Sequence, residues 1–532
     1  MADHAEFLQK AAVDFQRRFV ASFEEDIRAG KSWGYATICN AVSRKAGGQA
    51  GGEACERIAS RVSRLDDALI REVGIRALSL LAASFGRHSK RVECRNGAIR
   101  IAKFCCDENG SLQELNNLSL AALISGFSKW PDQAAFRQAA VAIAGEVIRR
   151  AGSRIQLSDL TQQGLASLVN GFSKWPEEAA SRQAAVALAG EVMHRSGRLC
   201  DFAQQGLAIL VNGFGKWPEE PPCGQVTVAI AGEVLRRAKW LHNFNQQDLA
   251  NLVNGFSKWP DEVASRQATV AIAGELLRRA AQLTDFTQQG LANLVNGFCK
   301  WPEDGVCRKA TAAIAGEVLC RAAQLPDHTA QGLANLVNGF SKWPEEAASR
   351  QAAVALAREV LRRAARLCDF ASQALANLVN GFSKWPEELP CGRVTVALAG
   401  EVLQRANHEK GLSEFTSQDL RGLVDGFSRW PEESAVRRAT IAIADEVLRR
   451  GVRLFDFTQL EAENLINGFS RWPEEAACHP AITDIAKELQ LIHLQAVQHR
   501  VEEKRYHQMS EPRIAGSSSA QAVVNVHDAT SS

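Results

Sequence analysis

The sequence predicts an all-α fold, a right-handed α-solenoid of about eleven two-helix repeats with a 42-residue period. The dipeptide Trp-Pro recurs nine times at spacings of 42 or 45 residues. Each copy also holds two amphipathic segments separated by turn signals, and a period of this length is typical of stacked helical pairs. The nine copies are called repeats 1 to 9 and are marked by Trp130, Trp175, Trp217, Trp259, Trp301, Trp343, Trp385, Trp430 and Trp472.

The composition permits a packed core and excludes several function classes. Hydrophobic residues make up 46% and charged residues 23% of the 532 residues, so wholesale disorder is excluded. The 62 Lys and Arg nearly balance the 60 Asp and Glu, so an anionic partner would need a local basic stripe. The 13 Cys lack metal-ligand spacing, which predicts free thiols packed as small hydrophobes and neither a metal nor a cofactor.

The chain is expected to open with an amphipathic capping helix over residues 1–30. Four Phe would lie along one side of this helix, and Gly30 would end it. These four residues are Phe7, Phe15, Phe19 and Phe23.

Two degenerate repeats are predicted over residues 31–107, because the 42-residue period continues upstream in weakened form. Phe85, for example, lies 42 residues before Phe127. A Gly-rich loop is expected at Gly47 to Gly52. Atypical end repeats are what a solenoid needs to shield its core from water.

The first helix of each repeat, helix A, is recognised by its apolar face. In repeat 5, Asp285 three residues before Gln288 has the spacing of an N-terminal capping box. The segment before Pro302 ends the helix, because the residue before a proline is pushed out of the α region. The apolar positions are Leu291, Leu294, Val295 and Phe298.

The second helix, helix B, is expected from Ser349 to Arg366 in repeat 6. Prolines after Trp-Pro in repeats 3 and 7 place that segment in the turn, so helix B of repeat 3 would begin near Gly224. Every repeat has a Glu in helix B, followed in eight of nine by Arg four residues later, as in Glu359 and Arg363. We expect this pair on the surface, worth a few tenths of a kcal/mol, rather than a catalytic carboxylate.

The nine Trp-Pro repeats are assigned to residues 108–507, with the last helix running on through Leu489 and Ile492 toward Tyr506. Residues 508–532 are rich in Ser and Ala and are expected to be disordered. No apolar stretch approaches about 20 residues, and the N-terminus lacks a Sec-type signal pattern. We therefore expect no insertion into membranes. We also expect the protein to be a monomer.

The phrase Ser257-Lys258-Trp259-Pro260 recurs in repeats 2, 6 and 7, and with it the chain resembles the SKWP-repeat type III effectors of plant-pathogenic bacteria. The match covers residues 108–494, and the family's repeats are regarded as related to HEAT and armadillo motifs. The resemblance implies a virulence protein that leaves the bacterial cytoplasm, enters the cytoplasm or nucleus of the host plant cell, and engages host protein there.

A polar row on helix A is the candidate binding surface. Two Asn and a Lys lie opposite the apolar face, and stacking would align them into a ladder that holds a peptide backbone, as in the similar armadillo proteins. The alternative is a solvated, capping or inter-repeat hydrogen-bonding role. The ladder residues are Asn170, Lys174, Asn212, Lys216, Asn251, Asn254, Lys258, Asn293, Asn296, Lys300, Asn335, Asn338, Lys342, Asn377, Asn380 and Lys384.

Three further alternatives concern function. The Trp of each Trp-Pro lies about 140° from the Asn around the helix and is expected to fill the junction of helices A and B rather than touch a ligand. Arg pairs such as Arg236 and Arg237 would suit the backbone of single-stranded RNA, although the nearly constant outward residues argue against a sequence code. An enzyme is the weakest option, because no triad spacing, phosphate loop or zinc motif occurs.

Overall fold

The computed structural model describes residues 23–45, 49–107, 112–153, 157–450, 459–472, 474–475 and 477–487. All regular secondary structure in these ranges is helical, and helices that are neighbours in the repeat order pack against each other. The predicted α-solenoid is thereby confirmed. By its contacts the chain divides into two compact units, residues 1–398 and 399–532, which are described separately.

Several predicted features lie outside the described residues. They are the helix of residues 1–22 with Phe7, Phe15 and Phe19, the glycines Gly47 and Gly48, the C-terminal extension through Leu489 and Ile492 to Tyr506, and the tail 508–532.

Within the described residues, six helices precede repeat 1. The first ends before Gly30, which adopts a left-handed φ of 74° and stops the helix where the sequence predicts. The predicted loop at Gly47 to Gly52 is wrong in its second half, because a helix already begins at Gln49. The six are α1 (Phe23–Arg28), α2 (Ser32–Lys45), α3 (Gln49–Val62), α4 (Asp67–Val73), α5 (Ile75–Arg87) and α6 (Val92–Cys106).

The A helices of the first unit form one layer, each packed on the A helix of the adjacent repeat. They are α7 (Asn117–Phe127), α9 (Gln162–Phe172), α11 (Gln204–Phe214), α13 (Gln246–Phe256), α15 (Gln288–Phe298), α17 (Ala330–Phe340) and α19 (Ser372–Phe382).

The B helices form the second layer. They are α8 (Ala134–Ala151), α10 (Ala179–His194), α12 (Pro221–Arg236), α14 (Val263–Arg278), α16 (Gly305–Cys320), α18 (Ala347–Arg362) and α20 (Leu389–Ala406). The second unit contains α21 (Ser417–Phe427), α22 (Ser434–Arg450) and α23 (Gln459–Phe469), followed by helical residues 478–487.

A 3₁₀ turn that the sequence analysis missed leads into helix A of repeats 3 to 7. It explains why the predicted capping box is wrong: Asp285 is the last residue of such a turn, and the N-cap is Thr287, whose hydroxyl accepts the N–H of Gly290 at 3.0 Å. The turns are Ser196–Asp201, Ala238–Asn243, Ala280–Asp285, Ala322–Asp327 and Ala364–Asp369.

The predicted limits of helix B are also corrected. Helix α12 begins at Pro221 rather than near Gly224, because proline lacks the N–H that the first helical turn leaves unbonded in any case. Helix α18 begins at Ala347 rather than Ser349. It ends at Arg362, and the predicted last residue Arg366 belongs to the following 3₁₀ turn.

A glycine in each A helix allows close contact with the A helix before it. A Cβ placed on Gly297 would lie 2.3 Å from Cγ1 of Val253 and 3.0 Å from its carbonyl oxygen. Such a distance to a side-chain carbon is far below van der Waals contact, so only glycine fits without movement. The same clash with the preceding A helix would arise at Gly126, Gly171, Gly213, Gly255, Gly339 and Gly381, and within the second unit at Gly468.

In seven of the nine Trp-Pro dipeptides the Trp donates a hydrogen bond to the backbone about one repeat back, and Trp259 and Trp430, which show no such bond, are only half-buried. The indole N–H of Trp301 donates to the carbonyl of Pro260, one repeat back, at 2.9 Å, and its side chain is buried. The Trp therefore seals the turn between helices A and B and bonds to the same turn of the previous repeat. The same bond joins Trp175 to Pro131, Trp217 to Pro176, Trp343 to Pro302, Trp385 to Pro344 and Trp472 to Pro431, whereas Trp130 bonds to Ser89.

The repeated Glu and Arg of helix B form a buried clamp, so their assignment to a surface pair is wrong. Glu275 is buried and accepts a hydrogen bond from Nε of Arg279 at 2.6 Å. The same guanidinium donates to the carbonyls of Leu241 at 2.6 Å and Phe244 at 3.0 Å. Those carbonyls precede helix A of the same repeat, so the clamp closes each repeat on itself. Its equivalents are Glu146 with Arg150, Glu191 with Arg195, Glu233 with Arg237, Glu317 with Arg321, Glu359 with Arg363 and Glu446 with Arg450.

The clamp lowers the pKa of Glu275. Burial alone would raise the pKa of Glu275, but hydrogen bonds from Arg279 and Arg278, together with their charges, hold that pKa below its ordinary value. The clamp therefore adds stability above the ordinary Glu pKa of about 4.3 and loses it as the pH falls through the lowered value.

The close contact of the A helices predicts opposite effects for two glycines of repeat 5. We expect Gly297→Ala to lower the free energy of unfolding by about 1–3 kcal/mol, because the new methyl group meets Val253. Gly316→Ala is the matched control: a Cβ there meets nothing within 4 Å, and losing a helical glycine should stabilise by about 0.5–1 kcal/mol. Urea unfolding of the full chain measures both. Equal effects of the two changes would contradict the contact.

The clamp predicts a large difference between two adjacent arginines. We expect Arg279→Ala to cost about 3 kcal/mol, because a buried carboxylate and two carbonyls lose their donor. Arg278→Ala should cost less than about 1 kcal/mol, since that side chain is 65% exposed. Urea midpoints at pH 7 and pH 3 provide the measurement. The gap between wild type and Arg279→Ala should narrow as the pH falls from 7 to 3, because protonation of Glu275 removes the charge that Arg279 neutralises. A gap that widens at pH 3 would refute the clamp.

Candidate binding surface on the A helices

The Asn and Lys of the predicted ladder lie along the A-helix layer of the first unit. We call them together the Asn–Lys surface. Asn170, Asn212, Asn251, Asn254, Asn293, Asn296, Asn338, Asn377 and Asn380 are half-buried and Asn335 is buried, while Lys174, Lys216, Lys258, Lys300 and Lys342 are exposed and Lys384 is half-buried. A ligand would therefore contact the Asn–Lys surface mainly through its lysines.

Some of the Asn side chains form hydrogen bonds within the protein. The side-chain amide of Asn254 donates to Oδ1 of Asn212 one repeat back at 2.8 Å, which is the inter-repeat role that the sequence left open. Asn293 and Asn335 each accept an amide N–H from a Gln on the same helix. An Asn amide still has a further donor and acceptor after one such bond. The Asn side chains are thus fixed in orientation while some of their hydrogen-bonding groups remain available.

The lysines form a row of like charges. The stem of Lys258 packs over Gly215 of the preceding repeat, where a Cβ would lie 3.2 Å from its Cγ. Partial desolvation, and then the charges of Lys300 and Lys216, lower the pKa of Lys258. Desolvation and neighbouring lysines likewise lower the pKa of Lys174. The ammonium groups of Lys174 and Lys258 are therefore held close enough to their neighbours in the row to be repelled by them.

No carboxylate of the described residues lies within 4 Å of five of these ammonium groups. The five are Lys174, Lys216, Lys258, Lys300 and Lys342.

Acids near the Trp-Pro turns of repeats 2, 3, 5, 6, 7 and 9, in contrast, are paired, whereas Asp261 and Glu262 of repeat 4 have no arginine or lysine within 4 Å among the described residues. In repeat 6, Oε1 of Glu346 lies 2.6 Å from Nε of Arg308 on the preceding B helix, and Glu345 lies 3.3 Å from the same guanidinium. These exposed pairs add little stability, but they neutralise the acids. Equivalent pairs are Arg137 with Glu177, Arg182 with Glu219, Arg266 with Glu303 and Arg350 with Glu387, and in the second unit Arg437 with Glu474.

The cysteines do not build a second site. All 13 are free and nine of them are buried. Sγ of Cys39 and Cys55 lie 3.5 Å apart, and their hydrogen bond, with burial, raises the pKa of Cys55 far above its ordinary range. Thiols that stay protonated are poor metal ligands and poor nucleophiles. No group of three side chains suited to a metal ion occurs within the described ranges.

Sequence comparison finds no family model and no curated protein that matches the chain. Among the described helices, none has the length and apolar character that a bilayer crossing requires.

Two functional features escaped the sequence analysis. The buried clamp could not be recognised from a Glu and Arg four residues apart, because that spacing is equally common on exposed helices. The exposed Trp240 could have been found, since only Trp33 and Trp240 of the 11 Trp lie outside a Trp-Pro dipeptide.

The like-charge row predicts that removing one lysine stabilises the protein. We expect Lys258→Met to raise the free energy of unfolding by a few tenths of a kcal/mol at low salt, because repulsion from Lys216 and Lys300 is relieved while the stem over Gly215 is kept. The gain should vanish in 1 M salt, where the screening length is about 3 Å. Lys309→Met, on helix α16, is the matched control and should give no gain. A destabilised Lys258→Met protein would contradict the repulsion.

Proposed function

We propose that this chain is a non-catalytic α-solenoid scaffold that binds an extended, acidic segment of a partner protein along the Asn–Lys surface. Five lysines of the row carry the proposal, because no carboxylate of the described residues lies within 4 Å of them: Lys174, Lys216, Lys258, Lys300 and Lys342. The like charges of neighbouring lysines repel each other in the free protein. An anionic ligand relieves this repulsion, and the relief favours binding. In repeats 2, 3, 5, 6 and 7 an acid that follows Trp-Pro is already paired with an arginine and opposes such a ligand less. Asp261 and Glu262, beside Lys258, have no such partner among the described residues and oppose the ligand in repeat 4.

The spacing of the row favours a polyproline-II conformation of the bound segment. Packed helices lie about 8–10 Å apart, so consecutive lysines recur at about that distance. A polyproline-II segment rises about 3.1 Å per residue with three residues per turn, or about 9 Å per turn. An acidic residue at every third position would therefore meet one lysine per repeat. The backbone groups of such a segment have no internal bonds, and the remaining Asn donors and acceptors suit them.

The partner follows from the SKWP resemblance. We propose that it is a host protein, met after the chain leaves the bacterial cytoplasm through a type III secretion system and reaches the cytoplasm or nucleus of a plant cell. The support for this step is the recurring Ser-Lys-Trp-Pro phrase itself, since Lys174, Lys258, Lys342 and Lys384 belong to that phrase and also lie in the row.

A labelled peptide tests the binding surface. We expect a fluorescein-labelled peptide of six Glu-Pro-Pro units to bind the full chain at low salt and to release as salt rises. The triple change of Lys216, Lys258 and Lys300 to Glu should weaken binding at least tenfold, as measured by fluorescence anisotropy. Six Gln-Pro-Pro units are the uncharged control peptide.

A matched variant controls for net charge. Changing Lys103, Lys309 and Arg438 to Glu alters the total charge equally but leaves the A-helix row intact, so binding should change less than twofold. Equal losses in the two triple variants would refute the surface. Tighter, salt-steep binding of a 15-nucleotide single-stranded RNA through the same lysines would instead assign the row to nucleic acid.

A further inference from the structure

The 3₁₀ turn of repeat 4, Ala238–Asn243, differs from its equivalents in what it exposes. Nine of the 11 Trp belong to Trp-Pro dipeptides, whereas Trp240 lies on this turn and is 56% exposed. Lys239 and His242 on the same turn are exposed as well. A large exposed aromatic flanked by cations is characteristic of residues that dominate protein–protein binding energy.

The clamp holds this turn rigidly. Leu241, between Trp240 and His242, is 1% exposed, and its carbonyl accepts a hydrogen bond from Arg279 at 2.6 Å. The backbone on both sides of Leu241 is thus fixed before any ligand arrives. A ligand that contacts Trp240 and His242 therefore does not have to order the turn, and that preorganisation favours affinity.

An open cleft of about 870 Å³ lies beside the turn, and we call it the Trp240 cleft. Helix α14 supplies small, apolar residues to its wall, and Arg278 lines it too. Arg278 and Arg279 share the single carboxylate of Glu275, so the clamp has a net positive charge at the cleft. Other residues that line the cleft are Ala238, Lys239, His242, Val270, Ala271 and Val306.

Among the five six-residue 3₁₀ turns of the described residues, this one alone has a net positive charge from its Lys, Arg, Asp and Glu. Its last residue is Asn243, where the other four end in Asp201, Asp285, Asp327 and Asp369. The basic residues of two other turns pair internally, as Arg198 does with Asp201 at 3.0 Å. No carboxylate in the described part of the chain lies within 4 Å of Lys239.

We propose that the Trp240 cleft docks a short acidic segment of a partner protein, with an apolar side chain of that segment inserted into the cleft. Trp240 lies on the turn next to the cleft but does not line it. The apolar side chain packs on Val270, Ala271 and Val306, and its acidic neighbours pair with Lys239, His242 and Arg278. This site lies on the turn and helix B, and it does not depend on the Asn–Lys surface of the A helices.

The local character of the cleft favours a polypeptide over a nucleic-acid strand. A strand requires successive aromatic platforms and a continuing line of cations. The positions equivalent to Trp240 in the next two repeats hold Gln282 and Gln324, and the turns there end in Asp285 and Asp327. Lys239, His242 and Arg278 therefore converge on one cleft, next to the exposed Trp240 of the same turn, and this arrangement fits a few residues of an acidic chain.

The chain offers a variant that removes the site without unfolding the repeat. Lys239→Ala, Trp240→Gln, His242→Thr and Asn243→Asp together give repeat 4 the turn sequence of repeat 5, which forms the same 3₁₀ turn. The probe is a fluorescein-labelled peptide of four Glu-Glu-Leu units, measured by anisotropy. We expect the quadruple variant to bind it at least tenfold more weakly than wild type, with an unchanged urea midpoint.

A graft supplies the reciprocal test. In the quadruple variant, the changes Gly197→Lys, Arg198→Trp, Cys200→His and Asp201→Asn move the site to repeat 3. Helix α12 there carries Val228, Ala229 and Arg236 at the positions of Val270, Ala271 and Arg278. Binding should return at least in part.

Four results would overturn the proposal. One is equal binding of the probe by wild type and the quadruple variant. Another is equal binding of a Glu-Glu-Ser peptide, which lacks the apolar side chain. A third is loss of the probe in the triple Lys216, Lys258 and Lys300 variant but not in the quadruple variant, which would place it on the A helices. The last is tighter binding of a 12-nucleotide single-stranded RNA through Trp240.

Discussion

The contact between a glycine of one A helix and a valine of the preceding A helix is the constraint on which the stacking depends. At Gly297 the approach leaves no room for a methyl group beside Val253. Because the glycine recurs, every described junction between A helices of the first unit has the same close spacing. That spacing brings the indole N–H of Trp301 within 2.9 Å of the Pro260 carbonyl, and it also brings consecutive lysines close enough to repel each other.

Stability within a repeat and between repeats comes from different residues. The buried Glu275 and Arg279 join the end of helix B to the backbone before helix A, and both ends of this bond lie in repeat 4. Gly297 acts across a junction, and Trp301 bonds across the same junction besides sealing the turn of its own repeat. A solenoid's stability is approximately a sum of repeat and nearest-neighbour terms. Here the clamp contributes to the first term and the Gly and Trp contacts contribute to the second.

The two proposed surfaces differ in kind, because the lysine row is repeated along the chain and the Trp240 cleft is specific to repeat 4. The lysine row has one member per repeat, so it suits a ligand that is itself extended. The Trp240 cleft exists once because Lys239, Trp240 and Asn243 replace the residues of the neighbouring turns, so it suits a short anchor. A partner that uses both would gain affinity through the effective concentration of the second contact.

The sequence by itself determined the all-α fold, the helical pairs and the place of each Trp, because a 42-residue period and amphipathic patterns report local geometry and repetition. It did not determine the N-cap at Thr287, the buried state of Glu275 or the bond between Asn254 and Asn212. A capping spacing and a Glu–Arg spacing look the same on an exposed and on a buried helix. Burial and pairing were decided only when the helices stacked, because only then do residues 35 to 42 positions apart meet, as Arg279 meets Phe244 and Asn254 meets Asn212.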